Sequence, residues 1–524
     1  MDAFFSFLPI GFVIALMTGR KNVPSFIALP LAAVVMYFFR FTYFGTETLL
    51  LNAGIVQGIL TALTPILVIW GAVFLFRLME LSGAMKTIRD WLSSIAENKI
   101  EQVMIVGWAF AFLVEGASGF GTPVALAAPL LVGFGFAPLR AVILCLILNS
   151  VPVSFGAVGT PTWFGLGNLE LGGDEILAIG QQTAMIHFIA GLVIPFIALR
   201  VLFEWNEIRA NKGFILLSIL SCTVPYLLLA QWNVEFPSLI GGAVGLLLTA
   251  FFARFNIGVV HSAKKPVLPI SGKKLWKAFF PIGATIVCLI LTRVDALGVK
   301  SLLNGTQILS EFEWGSWGQL WISRSLVVGW NGIFGTDLHW SHALLYVPSI
   351  LPFAFVGVLS FWVLSIKKCI QWKIISTSFE RMKKPIFALI GIMIFVKLMM
   401  VGGAGSPAMI LGNFLAEISG KSWTAVAPLL GALGAFFSGS NTVSNLTFGG
   451  VQMAAAQSLA LPKITILALQ NVGGAMGNMV SLQNIVAGCS VLGLVRREGE
   501  ILLQTIKPLF WYAVIAGGMG LLLI

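Results

Sequence analysis

Long apolar runs separated by short charged stretches fill this chain of 524 residues. A helix needs roughly 20 consecutive apolar residues to cross a bilayer. On that scale the pattern predicts spans at 3–18, 23–41, 51–78, 138–163, 175–203, 213–230, 235–255, 276–294, 345–366, 385–404, 462–487 and 501–524, about twelve in all. Two other regions, 100–137 and 422–461, read differently. Each holds a pair of apolar runs that meet at small and polar residues. In the first, the runs Ile100 to Val114 and Val124 to Ala137 are too short to cross. Each region therefore predicts a re-entrant hairpin, which enters the membrane, turns midway and leaves on the same side. The expected fold class is an all-α polytopic membrane protein.

The two hairpins are related. Adding 324 carries Ser82, Ala84 and Met85 onto Ser406, Ala408 and Met409, Gly107 onto Gly431, and Pro138 onto Pro462. Read without a gap, this spacing brings the first tip onto Gly439-Ser440-Asn441-Thr442. Similarity at a fixed distance marks an internal repeat. Basic residues then orient the chain. Arg20 and Lys21, Arg77 to Lys99, Arg200 to Lys212, Arg254 to Lys277, Lys367 to Lys384, and Arg496 and Arg497 fall in alternate loops. Basic loops face the cytoplasm, so the first hairpin opens inward, the second outward, and the repeats are inverted. The division expected is N-terminal scaffold helices 1–50 and a first repeat 51–203. Scaffold helices follow at 204–366, with a cytoplasmic linker 256–275 and an outer loop 295–344, and then a second repeat 367–524. A segment from Leu81 to Asn98 mixes apolar and charged positions as an interfacial amphipathic helix does.

Composition agrees: 58% of residues are hydrophobic and 10% charged, where soluble domains carry about 25%. The net charge of +11 is explained by orienting loops rather than by nucleic acid. No basic stretch precedes the first apolar run, which argues for a retained span and not a cleaved signal. The five cysteines are scattered, with no metal spacing and no disulfide framework, and neither metal nor cofactor is expected.

The chemistry gathers at the tips, Glu115 to Pro123 and Ser438 to Asn445. Each is followed by a Pro-led helix that is itself interrupted, at Asn149 to Pro152 and at Asn471 to Asn478. A broken helix exposes N–H groups that favour an anion and C=O groups that favour a cation. Gly116, Ser118, Gly119, Thr122 and Ser150, with Ser440, Asn441, Thr442 and Asn471, are the candidate residues for a small carboxylate. The hydroxyls of Ser118, Thr122, Ser440 and Thr442 and the amide of Asn441 would serve as donors. The same small residues also suit close helix packing. Glu115 is costly to charge inside a membrane, which makes it the candidate for a coupled proton; a structural brace is the other reading. His187 could relay a proton or simply pack. Lys397 could neutralise the carboxylate or snorkel to an interface. Gly241 to Gly245 reads as close helix packing. A reading from another class, an intramembrane serine protease, needs Ser118 within hydrogen-bond reach of His187.

The run Glu115-Gly-Ala-Ser-Gly-Phe-Gly-Thr-Pro-Val-Ala-Leu-Ala-Ala, on through Pro129-Leu130 to Gly133-Phe134-Gly135, resembles the bacterial L-lactate permease family. The apolar layout extends the resemblance across the chain. It implies import of lactate, glycolate or a related 2-hydroxy monocarboxylate by proton symport in the cytoplasmic membrane. Ser440-Asn441-Thr442 resembles the Ser-Asn-Thr triplet of divalent-anion/sodium symporters, where paired triplets bind substrate and sodium. Here Gly116-Ala117-Ser118 lacks the Asn, which favours a proton over sodium, and a sodium-coupled carboxylate carrier is the alternative. That wider group moves as elevators and often dimerises, so an elevator and a homodimer are what the likeness implies.

Overall fold

The computed structural model describes all residues except 19–22, 96–97, 120–121, 260–270, 294–296, 348 and 495–496. Most of the expected linker, the charges Arg20, Lys21, Lys264, Lys265 and Arg496, and Phe120-Gly121 of the first tip lie outside the described residues. The chain forms two compact units, Met1–Ile88 with Ser271–Leu411, and Arg89–Ile270 with Gly412–Ile524.

In the first unit the helices Thr48–Leu81 and Lys368–Met400 run together, with Ser25–Thr42 against the latter. Lipid offers no hydrophobic drive between helices, so small residues let backbones approach. A methyl group at Gly58 would stand 2.8 Å from the Ile394 Cα, and one at Gly391 would strike Pro30. Thr48–Leu81 has 34 residues, about 51 Å of helix against about 30 Å of hydrocarbon.

Against that helix lies a four-stranded antiparallel sheet, β1 Ile308–Glu313, β2 Gln319–Ser323, β3 Val327–Asn331 and β4 Trp340–Ala343, in the order β1-β2-β3-β4. Gln57 Nε2 donates to the His339 carbonyl at 2.7 Å, and Thr64 Oγ1 meets His342 Nδ1 at 2.8 Å. The sheet corrects the all-α expectation. Its strands are short, and their alternation is broken by turns at Gly315, Gly318 and Gly332, all at positive φ. Over a window long enough for a span the stretch therefore shows no period.

The second unit carries both hairpins. The first is Lys99–Ser118 turning back as Thr122–Gly133; the second is Trp423–Ser438 turning back as Asn441–Ser458. Lys99–Ser118 corrects the sequence reading of a short arm. Glu115 to Ser118 stay helical, so the arm has 20 residues, long enough by itself to cross. Its middle, Val103–Phe110, is a π-helix, a geometry that is frequent at functional sites. The arm lies on Pro237–Arg254, where methyls at Gly116 and Gly242 would strike the backbones of Leu239 and Leu113.

Among the described residues seven helices are long and apolar enough to cross a membrane, or eight counting the pair Pro138–Leu148 and Pro152–Leu169, bent by 62°. That number stands below the twelve expected, partly because Asp2–Met17 and Ile350–Val363 are apolar but shorter than a span and because 462–487 divides into Lys463–Gly477 and Leu482–Val491. The second interruption thus falls at Asn478–Val480 and Ser481, not at Asn471. Gly473 and Gly477 do not break the helix. Methyls there would strike Pro428 and Ala432, so they seat it on Trp423–Ser438. The two tip glycines at positive φ, Gly119 and Gly439, are 320 apart, against the 324 of the sequence spacing.

By contacts, 51–88 and 367–411, assigned to repeats from the sequence, fall in the first unit, and 204–259 falls in the second.

Candidate functional site

Inside the second unit both tips and both helix interruptions border one small recess of about 250 Å³, its open side included. Glu115 and Gly119 come from the first tip, Val153, Gly156 and Ala157 from the first break, Gly439 to Thr442 from the second tip, and Asn478 from the second break. Among these lining residues there is no Lys, Arg or His.

Glu115 sits in the last turn of its helix and is 2% exposed. Its carbonyl accepts the N–H of Gly119 at 3.0 Å, which closes the helix, and Gly119 turns the chain at φ +59°. Across the recess the first break begins at Asn149. Pro152 starts a short 3₁₀ turn, as a residue without an N–H can. Asn149 Nδ2 donates to Glu115 Oε2 at 2.9 Å. Gly156 leaves the space the carboxylate occupies, for a methyl there would strike Glu115 Oε1. Next come Ala157, Val158 and Gly159 at φ 45°, 57° and 71°. The left-handed region costs a residue with a side chain roughly 1–2 kcal/mol, and a β-branched one is a genuine outlier there. Side chains hold this turn: Thr160 Oγ1 donates to the Ala157 carbonyl at 2.5 Å and Trp163 Nε1 to the Val158 carbonyl at 2.8 Å. Such strain persists where the surroundings over-determine it, often at ligand sites.

The second tip is built alike. Gly439, at φ +69°, donates to the Ala435 carbonyl at 2.8 Å. Ser440 caps the helix Asn441–Ser458, its Oγ accepting the Val443 N–H at 3.3 Å. The first N–H groups of an 18-residue helix therefore face the recess.

Ser440, Asn441, Thr442, Gly119 and Glu115 line the recess. Gly116 faces Leu239 instead. Ser118 and Ser150 spend their hydroxyls on the Val114 and Ile147 carbonyls, at 3.0 and 2.7 Å, and Thr122 begins the return arm outside the lining. Asn441 lines the recess, but its amide nitrogen donates to Asn471, to the carbonyl and to Oδ1, both at 3.0 Å. That amide ties two helices together and is not held out to a solute. Asn471 is a buried hub: Nδ2 donates to Thr162 and Thr183 at 2.8 and 3.3 Å, and Oδ1 accepts from Asn445 at 2.9 Å. His187 stands behind the recess with both ring nitrogens engaged, Nε2 with Ser154 Oγ at 2.8 Å and Nδ1 with Tyr512 at 2.5 Å. Ser118 and His187 are thus committed to other partners, which removes the protease pairing. Lys397 belongs to the first unit.

Ser154, Thr162, Thr183, Asn445, Gln470 and Tyr512 were not found from the sequence. One signal was available for two of them: polar residues in otherwise apolar helices, Asn445 at helical spacing from Asn441 and Gln470 next to Asn471.

The family model of L-lactate permease matches residues 2–524. A putative L-lactate permease of Haemophilus influenzae is 47% identical over 99% of this chain and 98% of its own. The L-lactate permease and the glycolate permease GlcA of Escherichia coli K12 are 28% and 27% identical, each over 89% of this chain and 85% of its own.

Proposed function

The chain belongs to the L-lactate permease family, whose members are multi-pass transporters of small molecules and not enzymes, and on that premise we propose that it imports L-lactate, glycolate or a related 2-hydroxy monocarboxylate by proton symport across the cytoplasmic membrane. The observation that carries the coupling is the lining of the recess: one carboxyl, Glu115, the N-terminal end of Asn441–Ser458, and no basic side chain. A helix N-terminus stabilises an anion by about 0.3–1 kcal/mol, more when partly buried. Two like charges about 4 Å apart repel by about 4 kcal/mol at an effective dielectric of about 20. A solute carboxylate is therefore accepted beside Glu115 when that group carries a proton, and the pair crosses together. The Thr442 hydroxyl and the N–H groups of Asn441 and Thr442 would hold the carboxylate. The lone pairs of Glu115 and of Asn149 Oδ1 are the nearby acceptors for a 2-hydroxyl. With the tips lying in opposite orientation, as the loop charges imply, each would close one side of the site, and an elevator movement of the hairpin unit is the motion this suits.

The test is uptake of labelled L-lactate into proteoliposomes under a proton gradient, a sodium gradient or neither, for wild type and Glu115→Gln. Accumulation driven by protons alone, with Glu115→Gln retaining exchange but not accumulation, is the expected result. Accumulation driven by sodium would overturn the coupling, and indifference to every gradient would overturn the substrate.

A further inference from the structure

The first helix break and the second hairpin meet at Ser154, on the 3₁₀ turn Pro152–Phe155 whose neighbours Val153 and Gly156 line the recess. Its hydroxyl lies 3.0 Å from the Asn471 carbonyl, 2.8 Å from His187 Nε2 and 3.4 Å from Asn441 Nδ2. All four side chains are buried. The protons in this cluster can be assigned by elimination. A carbonyl only accepts, so the Ser154 proton points to Asn471. An amide NH₂ only donates, and it has two protons: Asn441 gives one to Asn471 Oδ1 and shares the other between the Asn471 carbonyl and Ser154 Oγ. The remaining lone pair of Oγ then takes a proton from His187 Nε2. With Nε2 protonated, the Nδ1 of a neutral imidazole is an acceptor, and the Tyr512 hydroxyl donates to it. The chain runs one way, from Tyr512 through His187 and Ser154 to Asn471. A second proton on the ring would aim Nδ1–H at Tyr512 and leave that hydroxyl's own proton to find another acceptor in a fully buried place. Besides Tyr512, the titratable group packed on the ring is Tyr226, whose hydroxyl donates to the Val151 carbonyl at 3.4 Å.

We propose that Ser154 is a positioning residue for solute binding: oriented by the Nε2–H of His187, it helps to fix Asn441, the first residue of the helix whose N-terminus lines the recess. This rests on the reading of that recess as the carboxylate site. His187 then belongs to the framework of the site and not to the path of the coupled proton. The geometry carries a specific consequence. Cutting the chain loosens the anion-binding helix end, which weakens solute affinity, and leaves the protonation step unchanged.

The experiment is L-lactate uptake by the full chain in proteoliposomes, as a function of substrate and of pH, for wild type, Ser154→Ala, His187→Gln, His187→Leu and Tyr512→Phe. Ser154→Ala and His187→Leu are expected to raise KM about tenfold, equivalent to about 1.4 kcal/mol. Their maximal rate should change less, and the pH profile should keep its midpoint. His187→Gln, which retains a donor toward Ser154, should restore KM toward wild type. Tyr512→Phe should raise KM by a smaller factor, and it decides the matter should Ser154→Ala fail to fold. A wild-type KM in Ser154→Ala or, in that event, in Tyr512→Phe overturns the proposal. So does a displaced pH midpoint, or exchange without accumulation, in His187→Leu. If the wild type itself takes up no lactate, the reading of the recess has failed and not this inference alone.

Discussion

Asn149 and Glu115 form a one-sided pair: the amide nitrogen donates to Glu115 Oε2 at 2.9 Å, while the amide oxygen has no protein partner. A buried acceptor left open in this way costs about 1–3 kcal/mol, so a donor from solute, water or the acid form of the carboxyl is well received there. Asn149→Leu keeps the volume and removes both functions. It should lower the rate of L-lactate uptake about tenfold or more, measured in proteoliposomes at saturating substrate. An unchanged rate would show that Asn149 has no part in holding Glu115.

Gly156 makes a sharper prediction. Its missing side chain is the space that Glu115 Oε1 fills. Gly156→Ala should displace the carboxyl and abolish accumulation, with a loss of about 1–3 kcal/mol in stability from overpacking. Thermal unfolding in detergent separates the two effects. A variant that accumulates lactate normally would mean that the position of the carboxyl does not matter.

Asn471 should matter more to folding than to transport. Its side chain serves Thr162, Thr183, Asn441 and Asn445 at once. Asn471→Ala leaves several buried groups unpaired at about 1–3 kcal/mol each, so a large fall in Tm and poor recovery from the membrane are expected. Wild-type Tm would contradict the role of hub.

Lys463 supplies the contrast. It meets Glu175 at 2.5 Å, but both side chains are substantially exposed, 43% and 33%. Such exposed pairs are screened by water and contribute little. Lys463→Ala should change Tm little and leave uptake as it was; a fall as large as that of Asn471→Ala would show the pair to be structurally important.

How much of this could be read in advance depended on the range of the interaction. The first break was legible because Pro152 carries no N–H and Asn149 and Ser150 precede it. The tips were legible because Gly119 and Gly439 each stand between two apolar runs. The second break was misread because Gly473, Gly474 and Gly477 look the same whether they bend a helix or let another helix approach, and here they do the latter. The two tips close alike, Gly119 on the Glu115 carbonyl and Gly439 on the Ala435 carbonyl. The amide of Asn441 looked like a donor to solute because its partner Asn471 lies 30 residues on, joined to it only by the packing of two helices. Ser154 and Tyr512 were invisible for the same reason: a hydroxyl on an apolar helix announces no partner until the helices are assembled.

A recess furnished with one acid and no base has an energetic consequence for the cell. On the proposed reading, one anion and one proton cross as a neutral pair. Membrane voltage acts on net moving charge, at about 2.3 kcal/mol per elementary charge per 100 mV, and on such a pair it does no work. The accumulation attainable is then set by the pH difference alone, so that a bacterium holding a large voltage in alkaline surroundings would not concentrate lactate through this carrier, and an acidified medium would load it.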